Sequence, residues 1–219
     1  MTTMTAEPAA LLPPAEPTRP RTLLVGTAFA TVATVSMFFG LFAVYFAERA
    51  AAIKSAPLVP KQVGLLPTHH DPAAWIKTGT ISLVPGGMMW GTMVMSIVTM
   101  AWAVYSIRRD DRPRVYIALG LTALFGVAVI NQTVFYYKSM GFTIVGKAAT
   151  LQGLLIFTIT GAHLVMVGVG VVFIALMAFR ALAGQYSSRQ SDGLLAAAIF
   201  WYATVAVYTL IYFGIYVAK

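Results

Sequence analysis

The sequence predicts an all-α fold, an integral membrane bundle of five transmembrane helices, and three observations carry that reading. Five long apolar segments lie between Thr22 and Val217, with no Asp or Glu in their middles. Charged residues fall almost entirely between those segments. The 219-residue chain is 59% hydrophobic and only 10% charged, a composition that sets aside a soluble domain of this size.

A bilayer core of about 30 Å takes about 20 apolar residues in a helix, and each segment is long enough. The first spans Thr22 to Phe46 and is followed by Glu48, Arg49 and Lys54. The second runs from Gly79 to Tyr105 and ends at the basic turn Arg108 to Arg114. The third covers Val115 to Tyr137, with Lys138 and Lys147 flanking the next turn. The fourth and fifth cover Leu151 to Phe179 and Leu194 to Val217. A transmembrane β-barrel would show alternating segments of about ten residues, and that pattern is absent. Residues 1–21, rich in Ala, Pro and Thr, have too little apolar periodicity for a core and are expected to form a disordered tail before a five-helix domain over 22–219. The loop 47–78, interrupted by Pro57, Pro60, Pro67 and Pro72, is expected outside the membrane. The first span exceeds a signal-peptide core and follows Arg19 and Arg21, so it reads as an uncleaved start of the bundle, with no targeting peptide apparent.

The net charge of +8 is spread over the loops and helix ends, which fits membrane anchoring rather than nucleic acid. With no cysteine, disulfides, iron–sulfur clusters and thiolate metal sites are excluded, and any redox work falls to a partner. Weighting the dense Arg108–Arg114 turn places the N-terminus in the cytoplasm and the C-terminus outside.

For packing, Gly87 and Gly91 form a small-xxx-small step, Gly161 and Val165 a poorer one, and Gly168 with Gly170 a shallow groove, so close helix contacts are expected there. Pro85, before Gly86 and Gly87, is expected to kink the second helix near its start. Met88, Met89, Met93, Met95 and Met100 are scattered around that helix and read as adaptable packing rather than a copper site.

Four polar side chains lie within the spans: Asn131, Gln132, Gln152 and His163. An amide or imidazole in hydrocarbon faces a neighbouring helix and bonds to it. A haem ligand at His163 would need a second axial group, and no other histidine stands at that depth; as the ionisable side chain inside a span it is still the first position to test. His69, His70 and Asp71 cluster in the first loop, without the third and fourth ligands that a metal site takes.

The run from Ser36 to Arg49, SMFFGLFAVYFAER, resembles the first helix of the five-helix form of subunit III of haem-copper cytochrome c oxidases. Further stretches follow in that family's order: Gln132 with Tyr136 and Tyr137, Gly161-Ala162-His163, Phe200-Trp201-Tyr202, and Ile211-Tyr212-Phe213. The similarity spans about Arg21 to the end. There are departures. The family's glutamate before Met-Phe-Phe is Val35 here, a second acid near the end of the third helix is Phe135, the first of two histidines on the fourth helix is Thr160, and the Trp-His…Asp pattern reads Trp201-Tyr202…Val205.

The resemblance implies a non-catalytic subunit, with no cofactor in this chain and haem and copper in partner subunits. Such a subunit packs against the catalytic subunit, binds phospholipid between its helices and protects the oxidase from turnover-linked inactivation. In the five-helix form the lipid cleft is shared with neighbours. Arg49 and Lys138 at outer helix ends and Arg108 and Arg109 at inner ones are candidates for phosphate head groups, with interface anchoring as the plainer role. Gln132 and His163 complete the candidate lipid or subunit interface. The expected setting is a bacterial plasma membrane. Alternative readings are an accessory subunit of a nitric oxide reductase, or a small transporter or channel, although transport favours more polar groups along a pathway than this chain offers.

Overall fold

The computed structural model describes residues 21–56, 58–59, 69–70, 75–76, 81–139, 150–187 and 190–218. Within them run α1 (Thr22–Ser55), the two-residue strands β1 (Leu58–Val59) and β2 (His69–His70), α2 (Leu83–Arg108), α3 (Arg112–Ser139), α4 (Leu151–Leu182) and α5 (Asp192–Ile211). A π-helical turn, Tyr212–Val217, continues α5. All five helices are long and apolar enough to cross a membrane. β1 and β2 pair antiparallel, Leu58 opposite His70 and Val59 opposite His69.

Helix ends differ from the apolar boundaries in one direction. α1 continues nine residues past Phe46, so Glu48, Arg49 and Lys54 ride on helix and the connecting segment begins after Ser55 rather than at residue 47. Ala50, Ala51 and Ala52 are strong helix formers, and a helix leaving the bilayer needs no apolar surface to persist. Its 34 residues extend about 51 Å, well beyond the hydrocarbon. α2 begins at Leu83, four residues later than Gly79, which puts Pro85 in the first turn. There its missing N–H has no intrahelical acceptor to lose. Of the expected 1–21 tail, residues 1–20 lie outside the described residues, as do Asp71 and Lys147.

Local chemistry sets the turns. Asp110 stands at φ 56° between α2 and α3, and Asp111 precedes α3 with its Oδ1 3.4 Å from the Arg114 amide nitrogen. A carboxylate there faces the amide-rich helix start, with Pro113 in the first turn. α4 opens on Thr150, whose Oγ1 accepts from the Gly153 N–H at 3.2 Å. It closes on Gly184 at φ +74°, where Gln185 N–H reaches the Arg180 carbonyl and Gly184 N–H reaches that of Ala181, the paired bonds of a glycine-terminated helix.

The helices form a ring with one addition. α2 packs on α3, α3 on α4, α4 on α5, and α5 closes on α2, while α1 leans against α5 and, less extensively, α4. α5 is the most buried of the five and α1 the least. One end gathers Arg21, Arg108, Arg109, Arg112, Arg180 and Asp192, and is called the arginine end below. The opposite end holds Ser55, Leu83, Ser139, Leu151 and Val217.

Close approach occurs at some of the glycines the spacing suggested and at others it did not. Gly91 and Gly168 have nothing within 4 Å of where a Cβ would stand. Gly170 of α4, as expected, and Gly126 of α3 admit the Trp201 indole, whose atoms would come within 2.9 Å and 2.8 Å of added Cβ atoms. Gly86 of α2 lies under the Tyr216 ring. Trp201 is thereby wholly buried at the meeting of α3, α4 and α5. Met89, Met93 and Met100 are buried on α2, whereas Met88 and Met95 face outward.

Candidate functional site

Four apolar helices alone would slide, since lipid is as apolar as their side chains; polar contacts and close packing fix them. Each seam of the ring carries such a contact. Thr99 and Thr122 hydroxyls meet at 2.8 Å between α2 and α3, and Tyr137 donates to Thr160 Oγ1 at 2.8 Å between α3 and α4. His163 Nε2 lies 3.1 Å from the Thr204 carbonyl oxygen between α4 and α5. Trp201 Nε1–H donates to Ser96 Oγ at 2.9 Å between α5 and α2. The α5–α2 seam has further contacts, from Trp90 Nε1–H to Thr209 Oγ1 at 3.2 Å and from Tyr208 to the Gly86 carbonyl at 3.3 Å. In α1 the hydroxyls of Thr31 and Thr34 turn back on their own helix, and the buried contacts are aromatic: Phe38, Phe42 and Tyr45.

His163 is buried, with Phe38 set edge-on at 6.5 Å and Tyr208 at 5.1 Å between ring centroids. Its Nε2 faces a carbonyl oxygen, the arrangement in which the imidazole N–H donates. Among the described residues no group of three or more His, Asp or Glu side chains gathers into a possible metal site.

Gln132 sits about two turns from the end of α3, half-buried, beside a cavity of about 240 Å³ lined by Pro85, Met88, Phe135, Tyr136 and Ser139. Asn131, next to it, faces outward, and Gln152 is half-buried in the first turn of α4. A second, apolar cavity of about 380 Å³ lies between α1 and α5, walled by Phe39, Phe42, Phe46, Leu210 and Phe213.

The cationic candidates divide between the two ends. Arg108 and Arg109 are exposed at the arginine end, the Arg109 guanidinium lying 4.4 Å from the Tyr105 ring centroid. Arg49 and Lys138 belong to the opposite end, half-buried on α1 and exposed on α3 respectively. The six singled-out residues therefore form no single site: two lie at one end, Arg49, Lys138 and Gln132 lie toward the other, and His163 is at mid-depth. Ser96 and Thr204, which complete two of the polar seams, carry no local sequence signal, because their partners stand 105 and 41 residues away.

Comparison with known proteins decides what this bundle is. The family model for cytochrome c oxidase subunit III matches residues 17–218. The chain belongs to the cytochrome c oxidase subunit III family. It is an integral membrane protein with five membrane-spanning helices. It is 32% identical over 155 residues to cytochrome c oxidase subunit 3 of Salmo salar, 31% to that of Cyprinus carpio and 30% to that of Pelomedusa subrufa. In each case the match covers 69% of this chain and 58% of the relative, so the chain matches rather more than half the length of these curated relatives.

The four positions at which the resemblance expects polar landmarks differ in their surroundings. Val35 packs against the core, and Thr160 receives the Tyr137 hydroxyl. Val205 is buried beside Thr204, and Phe135 points outward at 72% exposure. That last exposure is what lipid or a neighbouring protein surface would cover.

Proposed function

We propose that this chain is the non-catalytic, subunit III-like membrane subunit of a respiratory terminal oxidase of the haem-copper cytochrome c type. The observation that carries this reading is the family match along nearly the whole chain. The polar seams support it, since Trp201, Tyr137, Thr160 and His163 are spent on holding helices together rather than on a substrate. Haem and copper belong, in this reading, to partner subunits, and this chain stabilises the catalytic subunit. Phospholipid acyl chains occupy the apolar cavity between α1 and α5, and Arg49, Lys138, Arg108 and Arg109 hold head groups at the two ends. The membrane is a bacterial plasma membrane, with the arginine end cytoplasmic and the C-terminus outside, following the bias of basic residues toward the cytoplasm.

The test is purification through a C-terminal tag in mild detergent, with the visible spectrum and the masses of co-eluting chains recorded together. Haem a bands with large catalytic subunits are the expected result. Haems b and c with a reductase subunit would replace the oxidase by a nitric oxide reductase, and a colourless self-contained preparation would overturn both and turn attention to transport.

A further inference from the structure

The outward face of α3 carries a polar group that lipid does not satisfy. Ile117, Gly120, Leu124, Val127, Asn131 and Val134 are all exposed and recur at alternating spacings of three and four, so they form one stripe along the helix. All but Asn131 lack a hydrogen-bonding side chain. Its amide has an N–H₂ that donates and a carbonyl oxygen that accepts, and no hydrogen bond ties that side chain to another described residue. Gln132 Oε1, next along the chain, is enclosed by its own bundle, whereas Asn131 is open to whatever lies outside it.

Depth decides what can meet it. Halfway between Arg114 and Lys138, the cations near the two ends of α3, lies Gly126, and Asn131 is about 7.5 Å along the helix from there. The edge of a 30 Å hydrocarbon core is about 15 Å from its centre, so the amide sits well inside. Its side chain is too short to reach the head groups, acyl chains offer neither donor nor acceptor, and the bilayer core holds no water to take their place. An amide so placed bonds to a neighbouring helix.

The stripe restricts which helix that is. Residues alternating at three and four line a seam that a helix crossing at about 20° follows. Gly120, with nothing within 4 Å of where a Cβ would stand, leaves a hollow on that seam for close approach. Lys138 continues the stripe two turns beyond Asn131 and argues against a second copy of this chain. Copies inserted in the same direction pair about a two-fold axis along the membrane normal, which would set Lys138 against Lys138.

We infer that the outward stripe of α3 over residues 117–134 is a seam for a membrane-spanning helix of a different subunit, which presents an Asn, Gln, Ser or Thr side chain to the Asn131 amide. The inference rests on the proposed place of this chain in a multisubunit complex and names the helix and the residue through which the complex is held.

The experiment places photoreactive p-benzoylphenylalanine at position 127 and, separately, at 134, about one turn to either side of Asn131, in the full chain in its native membranes. Adducts are read by mass spectrometry after irradiation. The expected product joins this chain to a membrane-spanning peptide of another subunit. Asn131→Leu should lower its yield roughly three- to tenfold, the factor that one interhelical hydrogen bond supplies, while Asn131→Gln keeps it. Asn131 is exposed, so the leucine variant should leave the amount of this chain in the membrane and its melting temperature unchanged. Gly120→Leu, which fills the hollow without meeting the rest of the chain, should lower the yield as well, and it decides alone if Asn131→Leu fails to accumulate. Adducts with lipid only, adducts between two copies of this chain, or a yield that neither variant alters overturn the seam. The visible spectrum of the same preparation separates the two readings. A lipid-only adduct in material containing haem a sinks the seam and leaves the oxidase subunit standing, whereas an adduct with another subunit in colourless material does the reverse.

Discussion

Trp201 donates its indole N–H to Ser96 Oγ at 2.9 Å, joining α5 to α2 through side chains 105 residues apart. Ser96 Oγ in turn lies 2.6 Å from the Met93 carbonyl oxygen, so the hydroxyl donates to its own helix and accepts from the next. The indole is wholly buried and flanked by Gly126 and Gly170, which leaves it one orientation. Packing and hydrogen bonding agree on the same rotation of α5.

Ser96→Ala strands the buried indole N–H. The expected loss is about 1 kcal/mol, between the roughly 0.6 kcal/mol average for interhelical bonds in bilayers and the 1–3 kcal/mol for an orphaned buried donor. Reversible unfolding of the purified chain measures it. Combined with Trp201→Phe, Ser96→Ala should add almost nothing, and strict additivity would mean the pair does not interact.

Gly170→Ala and Gly168→Ala make a paired test two residues apart. The first sets a Cβ 2.9 Å from the Trp201 ring and should destabilise by about 1–3 kcal/mol, as overpacking does. The second meets open space and should leave stability unchanged or raise it by up to about 1 kcal/mol. Thermal denaturation in one detergent compares them. Equal effects would refute the contact pattern.

His163→Phe keeps the ring and removes the contact to the Thr204 carbonyl. The chain should still insert and assemble, with α4 and α5 held less tightly by about 0.6–2 kcal/mol. Protease resistance of the α4–α5 region and recovery of the complex in detergent report this. Complete loss of the complex would give His163 a role at a subunit interface.

Asp110→Val forces a β-branched residue into the left-handed region and should cost about 1–2 kcal/mol, while Asp110→Gly keeps the backbone and removes only the carboxylate. If both variants are equally impaired, the carboxylate matters and the turn does not. Membrane expression level and melting temperature serve as readouts.

The five helices were legible because hydropathy over about 20 residues reports passage through hydrocarbon. Helix ends were not, because hydropathy stops at the membrane surface and the backbone does not; α1 carries Glu48, Arg49 and Lys54 on helix for that reason. The small-residue spacing marked α2 and α4 as closely packed, and Gly170 is in close contact, yet Gly91 and Gly168 are not and Gly86 is, since spacing is silent on how each helix is rotated. His163 and Gln132 stood out as polar groups at depth. Ser96 and Thr204 did not: hydroxyls that bond their own helix are common in apolar segments, and nothing local shows that a distant indole will reach the Ser96 hydroxyl or a distant imidazole the Thr204 carbonyl.

The burial of α5 bears on how the protein is made. α5 follows the other four helices in the chain, yet α1, α2 and α4 all pack against it. At about 5–20 residues per second, Ser96 leaves the ribosome roughly 5–20 s before Trp201. For that interval the earlier helices sit in the bilayer with the Gly126 and Gly170 hollows unfilled and two of the four polar seams unmade. A chain interrupted before Trp201 would then persist as loosely associated spans, which makes it a natural substrate for a membrane protease. Emergence of α5, rather than insertion of the first helices, becomes the moment at which the bundle closes.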